Sequence, residues 1–312
     1  MNTNTNYTYE TEIPDALLAD LPEEARDQEN VNRVSFTYWQ TCWKRMKKDK
    51  LAMFGIVVII AMAILAVFGP MLCPYSYDDA DFMAILQGPS LKHWFGTDGL
   101  GRDVFVRTLY GARISLTIGF VAAIVNMVIG VLYGGIAGYL GGWVDLIMMR
   151  IVDILSGIPS LIYLILIMMF LGSSVQSILL AMCLTYWITT ARMVRGQIFT
   201  LREQDYALAA KVCGQTKWQI LIHHLIPNSM GSIIVTMTFL IPSAIFEEAF
   251  LSFLGIGIQV PKASWGTMCN DAIQYLTQQP WLMIFPALAI SITIFSLNFY
   301  RRRTERCAGS SN

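Results

Sequence analysis

The chain has 312 residues, of which 55% are hydrophobic and 14% are charged, and its mean hydropathy is +0.51. These values lie outside the range of soluble globular proteins and indicate an integral membrane protein. The 22 basic and 22 acidic side chains balance, so the composition points to no nucleic acid or other polyanion as a partner. No cleavable signal is expected, because the first apolar run begins only at Leu51.

The N-terminal region is predicted to lie outside the membrane. Residues 1–35 are polar and acidic and lack helical periodicity, which favours a disordered cytosolic tail. Residues 36–50 combine aromatic side chains with a basic cluster, as in a helix that lies at the inner membrane surface. We therefore expect an interfacial elbow helix directly before the first membrane span.

Uncharged runs predict an all-α protein with six transmembrane helices, since about 20 helical residues cross a bilayer. The expected spans are residues 51–73, 112–138, two spans within 154–191 that are divided at 172–174, 226–248 and 281–300. In the second span Gly130, Gly134 and Gly138 recur at four-residue spacing. Such spacing is typical of a face on which two helices pack closely.

The distribution of basic residues predicts the orientation of these spans. Three clusters of lysine and arginine are expected on one side of the membrane, at residues 44–50, 192–217 and 301–306. The positive-inside rule places that side in the cytosol, so both termini are cytosolic (N-in/C-in). Residues 301–312 then form a short basic cytosolic tail, and residues 74–111 form an extracytoplasmic segment.

The loop at residues 203–228 is the longest polar interruption between spans in the second half of the chain. It is predicted to form two short helices hinged at a glycine, with alanines before the hinge and a proline at the start of the next apolar run. Small side chains on an exposed helix allow another protein to approach closely, and glycine favours the left-handed position at a helix end. The candidate docking residues are Ala207, Ala209, Ala210, Gly214 and Pro227.

Two adjacent carboxylates, Glu247 and Glu248, close the fifth expected span. A carboxylate at membrane depth is costly and usually faces the bundle interior or water. One of the two is therefore a candidate for lining a solute path. A helix end that already lies in the outer interface explains the pair equally well.

A motif of glycines and alternating charges precedes the second expected span. Its residues are Gly96, Asp98, Gly101, Arg102 and Asp103. The charged side chains are expected to pair with one another, and glycines are typical of tight turns. We favour a structural turn outside the membrane over a contact with a partner protein.

Several segments, in the correct order, resemble the permease subunits of bacterial ABC importers. Residues 203–228 resemble the EAA loop of that family, with Ala209, Ala210, Gly214 and Pro227 at its spacing and Leu208 at the position of its glutamate. More narrowly, the chain resembles the C-type permease of the dipeptide, oligopeptide and nickel importers. The further matching segments are residues 96–103, 111–116, 141–143, 195–197, 251–257 and 264–266.

This resemblance implies a type I importer permease (MetI-like) fold, with residues 112–300 as the permease core and residues 203–228 as the loop that couples to ATPases. The implied partners are a homologous second permease, two ABC ATPase subunits and an extracytoplasmic solute-binding protein. The implied location is the bacterial cytoplasmic membrane. Peptides are the expected substrates, and nickel chelates or other small solutes are the alternative.

The resemblance also implies a non-catalytic subunit without a cofactor, because ATP would be bound by the partner ATPases. The chain contains no G-x-x-x-x-G-K-[ST] loop and no cluster of cysteine and histidine spaced to hold a metal. Under this interpretation Glu247 or Glu248 would meet the amino group of a peptide. The competing class is a secondary transporter, for which inverted repeats and ionisable residues within the spans are typical, and the spans carry almost none.

Overall fold

The computed structural model describes residue 44 and residues 46–308, without the side chains of residues 303 and 305–308. The expected cytosolic tail and most of the expected elbow helix lie outside the described residues, as do residues 309–312. Across this range the chain is almost entirely helical. Its one β-type feature there is an isolated antiparallel bridge between Thr97 and Asp103.

Eleven α-helices follow one another along the described part of the chain. They are α1 (Lys50–Leu72), α2 (Val104–Leu140), α3 (Gly142–Ser156), α4 (Ser160–Leu171), α5 (Val175–Thr185), α6 (Trp187–Leu201), α7 (Asp205–Val212), α8 (Lys217–Ile220), α9 (Ile226–Phe253), α10 (Trp265–Ala272) and α11 (Trp281–Ala308). A π-helical turn, Leu221–Leu225, joins α8 to α9, and a 3-10 turn, Ile273–Tyr275, follows α10.

The described residues contain five helical stretches long and apolar enough to cross a membrane, or six if the bent pair α3–α4 counts as one span. That pair is bent by 77° at the break between its two helices. The bend falls where Pro159, which cannot donate a backbone hydrogen bond, precedes α4. The expected all-α membrane class is therefore confirmed, and the break expected at residues 172–174 lies between α4 and α5.

Spans two to five all extend beyond the apolar runs that predicted them, since the bent third span begins at Gly142 and the fourth ends at Leu201. Helix α2 begins at Val104, where Asp103 accepts a hydrogen bond from the Val106 N–H at 2.9 Å and caps the helix. The fifth span is continuous from Lys217 to Phe253. Hydropathy detects only the apolar part of a helix. Capping residues and polar turns extend a helix beyond that part, into segments that hydropathy assigns to loops.

Helices α2 and α6 approach each other closely through the three spaced glycines of α2. A Cβ at Gly130 would press on the Thr190 side chain, and a Cβ at Gly134 would collide with the carbonyl oxygen of Ala191. At Gly138 it would meet the carbonyl oxygen of Arg195 at 2.7 Å. The predicted close-packing face of the second span is thus confirmed, and its partner is α6.

Gly134→Ala is expected to lower the thermal unfolding midpoint of the purified protein. The new methyl group has no room against the Ala191 backbone, and overpacking of this kind costs about 1–3 kcal/mol. Gly135→Ala is the matched control, because its methyl group would lie 3.5 Å or more from its neighbours. Equal shifts in the two variants would contradict the assignment of this contact.

Candidate functional site

The loop at residues 203–228 folds as a helical hairpin with its turn at Gly214. This glycine has a φ of +79°, and it follows the end of α7. The Gln215 N–H donates to the carbonyl oxygen of Ala210 at 3.2 Å, which closes the helix end. Thr216 and Gln219 then form a capping box that starts α8. The hinge predicted at Gly214 is therefore present.

The alanines of the loop do not all face outward, which corrects the expectation of an exposed small-residue surface. Ala207 and Ala210 are buried, and they pack in one cluster with Val194 and Ile198 of α6 and with Ile233 of α9. Ala209, Gly214 and Pro227, in contrast, are exposed. Small side chains at the buried positions allow α7 to lie close against the subunit's own helices.

Large apolar side chains occupy the outer surface of this hairpin. We call four of them the docking residues: Leu208, Val212, Trp218 and Ile222. They form two pairs at i, i+4 spacing, so each pair lies on one helical face. Val212 is 88% exposed, although it lies outside the membrane spans. Sequence reasoning missed these residues because it followed the alanines; the signal was Leu208 at the family's glutamate position.

The hairpin is joined to α9 without a flexible linker. The Ile226 N–H donates to the carbonyl oxygen of Leu221, which is the i−5 pattern of a π turn. Pro227 explains the wider turn, since it has no N–H and its ring needs space beside the preceding turn. On the other side, Arg202 donates from Nη1 to the carbonyl oxygen of Gly138 at 2.9 Å. The loop is therefore anchored to α2, α6 and α9.

A cavity of about 650 Å³ lies between the bent pair α3–α4, the α5–α6 segment and α9. Its polar lining includes Ser156, Tyr163, Tyr186, Ser243 and Glu247. Glu247 is the one aspartate, glutamate, lysine or arginine that lines it among the described residues. The remaining lining is mostly apolar, as in many small-molecule sites.

The two adjacent glutamates occupy different environments. Glu248 is 0% exposed and accepts hydrogen bonds from Ser115 Oγ at 2.7 Å and Ser252 Oγ at 2.9 Å. Glu247 faces the cavity, and its Oε2 is buried without a hydrogen-bond partner. Glu248 is thus part of the polar core, and Glu247 is the one that remains a candidate for lining a path.

The motif of glycines and charges that precedes the second span forms a largely buried network of charges at the start of α2. Arg102 Nε lies 2.8 Å from Asp98 Oδ2, and Arg107 Nε lies 3.4 Å from the same oxygen. Asp271 of α10 lies 3.7 Å from Arg102 Nη2 and 3.6 Å from Arg107 Nη2. Burial raises the pKa of the Asp271 carboxyl, although the two arginines act in the opposite direction. Asp103 pairs instead with His93, at 2.8 Å.

The glycines of this motif have structural roles. Gly96 and Gly101 have φ values of +77° and +73°, and a Cβ at either would collide with a backbone carbonyl of the preceding segment. The expected pairing of Asp98 with Arg102 is present, whereas Asp103 has a different partner from the one expected. Sequence reasoning did not identify His93, Arg107 or Asp271, because tertiary packing alone brings them to the motif.

The described residues thus combine a bundle of membrane-crossing helices, a bent helix pair, an open cavity beside α9 and a helical hairpin that leads into the span Lys217–Phe253. The family described as "Binding-protein-dependent transport system inner membrane component" matches residues 130–306. The "N-terminal TM domain of oligopeptide transport permease C" matches residues 37–89. The chain belongs to the binding-protein-dependent transport family, and it is a permease subunit of an ABC importer in the cytoplasmic membrane.

Curated relatives match nearly the whole chain. The dipeptide transport system permease protein DppC of Bacillus subtilis is 46% identical over 288 residues, which cover 92% of this chain and 90% of the relative. The oligopeptide transport system permease protein OppC of the same organism is 46% identical over 286 residues, with 92% and 94% covered. OppC of Escherichia coli is 40% identical over 263 residues, with 84% and 87% covered.

The fold is also similar to a chain of the MetNI methionine ABC transporter in an inward-facing conformation. The TM-score is 0.52 at 20% identity, and the match covers 66% of this chain and 96% of that chain. Membership in this family implies ATPase and binding-protein partners and places ATP hydrolysis in the ATPase subunits. It also decides against a secondary transporter that works without an ATPase.

Asp98→Asn is expected to lower the stability of the purified protein by about 1.5–3 kcal/mol, because two buried guanidinium groups lose a charged acceptor. Asp79→Asn is the control, since Asp79 is an exposed carboxylate in the same segment between the first two spans. Thermal unfolding of both variants in detergent checks the difference. An unchanged midpoint for Asp98→Asn would show that the network does not stabilise this region.

Proposed function

We propose that this chain imports peptides, as one half of a translocation pathway whose other half is a homologous second permease. The observation that supports this most strongly is the match over 92% of the chain to proteins named as dipeptide and oligopeptide permeases. Two ABC ATPase subunits bind on the cytosolic side. An extracytoplasmic solute-binding protein delivers the peptide from the other side.

The proposed orientation is N-in and C-in, with the hairpin in the cytosol. Lys211 and Lys217 are exposed on the hairpin, where basic residues are expected to face the cytosol. Arg102 and Arg107, on the proposed outer side, are held in buried ion pairs. The ion pairs explain why these two arginines lie on the proposed outer side, so their presence there does not contradict the proposed orientation.

The docking residues are proposed to contact an ATPase subunit. Leu208 and Val212 lie between two candidate spans, where a covering partner would remove their apolar side chains from water. Trp218 and Ile222 lie at the start of the span Lys217–Phe253, and tryptophan is enriched among residues that dominate binding energy. Gly214 shapes the turn, and Ala209 lies exposed beside the docking residues. Ala207 and Ala210 fix α7 against α6 and α9, so that movement of the ATPase is transmitted to helices that line the cavity.

The cavity beside α9 is proposed to be part of the peptide path, with Glu247 on its wall. Its lining residues on α9 extend from Thr236 to Glu247, which corresponds to about 16 Å along a helix. Its other walls come from the bent pair α3–α4 and from the α5–α6 segment. Relative movement of these helices would change the shape of the cavity, as alternating access requires.

Val212→Asp is expected to reduce ATP-dependent uptake of tri-alanine by about tenfold or more and to weaken co-purification of the ATPases, because a carboxylate would be buried in the contact. The amount of permease and its unfolding midpoint should be unchanged, since Val212 is 88% exposed. Uptake by the assembled importer in proteoliposomes, supplied with its binding protein, measures the effect.

Leu91→Asp is the matched control, because this leucine is 98% exposed on the extracytoplasmic segment. It should leave co-purification of the ATPases unchanged. Normal uptake and normal ATPase recovery with Val212→Asp would refute the docking assignment. Ala210→Glu is less informative, because Ala210 is buried and the substitution would disturb the hairpin itself.

A further inference from the structure

We propose that Glu247 is an ammonium-binding site, which receives the positively charged amino end of the substrate as it passes through the cavity. The inference rests on the proposed peptide import. It adds a chemical requirement to that function: the substrate must carry a cationic group when it reaches this point of the pathway.

The first observation is that Glu247 lacks a partner inside a cavity large enough for a ligand. Its Oε2 is buried and accepts no hydrogen bond, and the hydroxyl group of Tyr186, which lines the same cavity, is also buried without a partner. A buried polar atom without a partner costs free energy that a bound ligand can recover. Two such groups in one cavity are therefore available to hydrogen-bond a polar ligand.

The second observation is that the described residues place no cation on the cavity wall beside this carboxylate. Within the described residues, no lysine or arginine lines the cavity. Arg192 reaches its edge by donating to Ser156 Oγ at 2.5 Å, but its guanidinium also pairs with Asp153 Oδ1 at 2.9 Å. Arg192 is therefore already paired with Asp153. The neighbouring Glu248 is also satisfied, because two serine hydroxyls donate to it.

The residues around Glu247 suit an ammonium group better than a metal ion. The described residues include no group of three histidine, cysteine, aspartate or glutamate side chains that could hold a metal ion. A single carboxylate gives a divalent cation too few ligands. An ammonium group, in contrast, makes a strong charge-assisted hydrogen bond to one carboxylate and can donate to a further oxygen. The amino end of a peptide carries this group.

The direct test measures the electrostatics of the cavity without relying on transport. Ser243 lines the cavity one turn before Glu247 and is exposed, so Ser243→Cys places a thiol beside the proposed site. In the assembled importer, with the six native cysteines replaced by serine, this thiol is labelled with a cationic and an anionic methanethiosulfonate. The labelling rate of the cationic reagent, divided by that of the anionic reagent, should fall about tenfold when Glu247→Gln removes the negative charge.

Protection of the same thiol identifies the ligand. Tri-alanine with a free amino end should slow labelling in the parent, whereas N-acetyl-tri-alanine should not, and Glu247→Gln should abolish the difference. A rate ratio that is insensitive to Glu247→Gln, or equal protection by both peptides, would overturn the ammonium site.

Uptake by the same Ser243→Cys complex, with Glu247 in place, separates this outcome from the proposed function. ATP-dependent uptake of tri-alanine by a complex whose labelling ignores Glu247 would leave peptide import standing and remove only the ammonium site. Absence of that uptake, in a complex whose ATPases still co-purify, would instead remove the peptide assignment.

Discussion

The close approach of α2 and α6 fixes the position of α6, which connects the cavity wall to the hairpin. Gly130, Gly134 and Gly138 bring the two backbones together, so that no layer of side chains separates the helices. Helix α6 contributes one wall of the cavity and then leads directly into the hairpin. The proposed path and the proposed docking surface are thus connected through one helix whose position is fixed by backbone contact.

The same use of small residues recurs in the hairpin, where Ala207 and Ala210 pack inward. These contacts attach the loop to α6 and α9. Its outer surface can then carry large apolar side chains for a partner, and Val212 is the most exposed of these. Inward small residues attach the hairpin to the subunit, and outward large ones leave an apolar surface available for the proposed contact with an ATPase.

Local patterns in the sequence were sufficient to predict the membrane class, the break at residues 172–174, the turn at Gly214 and the packing face of α2. Each depends on residues close together in the chain. The inward direction of Ala207, the difference between Glu247 and Glu248, and the partners of Arg107 depend on helices that are distant in sequence. Helical periodicity alone does not specify those contacts. Hydropathy also fails to detect the start of α2, because that part of the helix contains polar residues.

The central claim is that the outer surface of the hairpin contacts an ATPase in the cytosol. A photoreactive amino acid at position 212 of the assembled importer tests it most directly, with position 91 as the comparison on the opposite side. We expect a crosslink from position 212 to an ATPase subunit and none from position 91. A crosslink from position 91 to the ATPase, or from position 212 to the solute-binding protein, would contradict both the orientation and the docking surface.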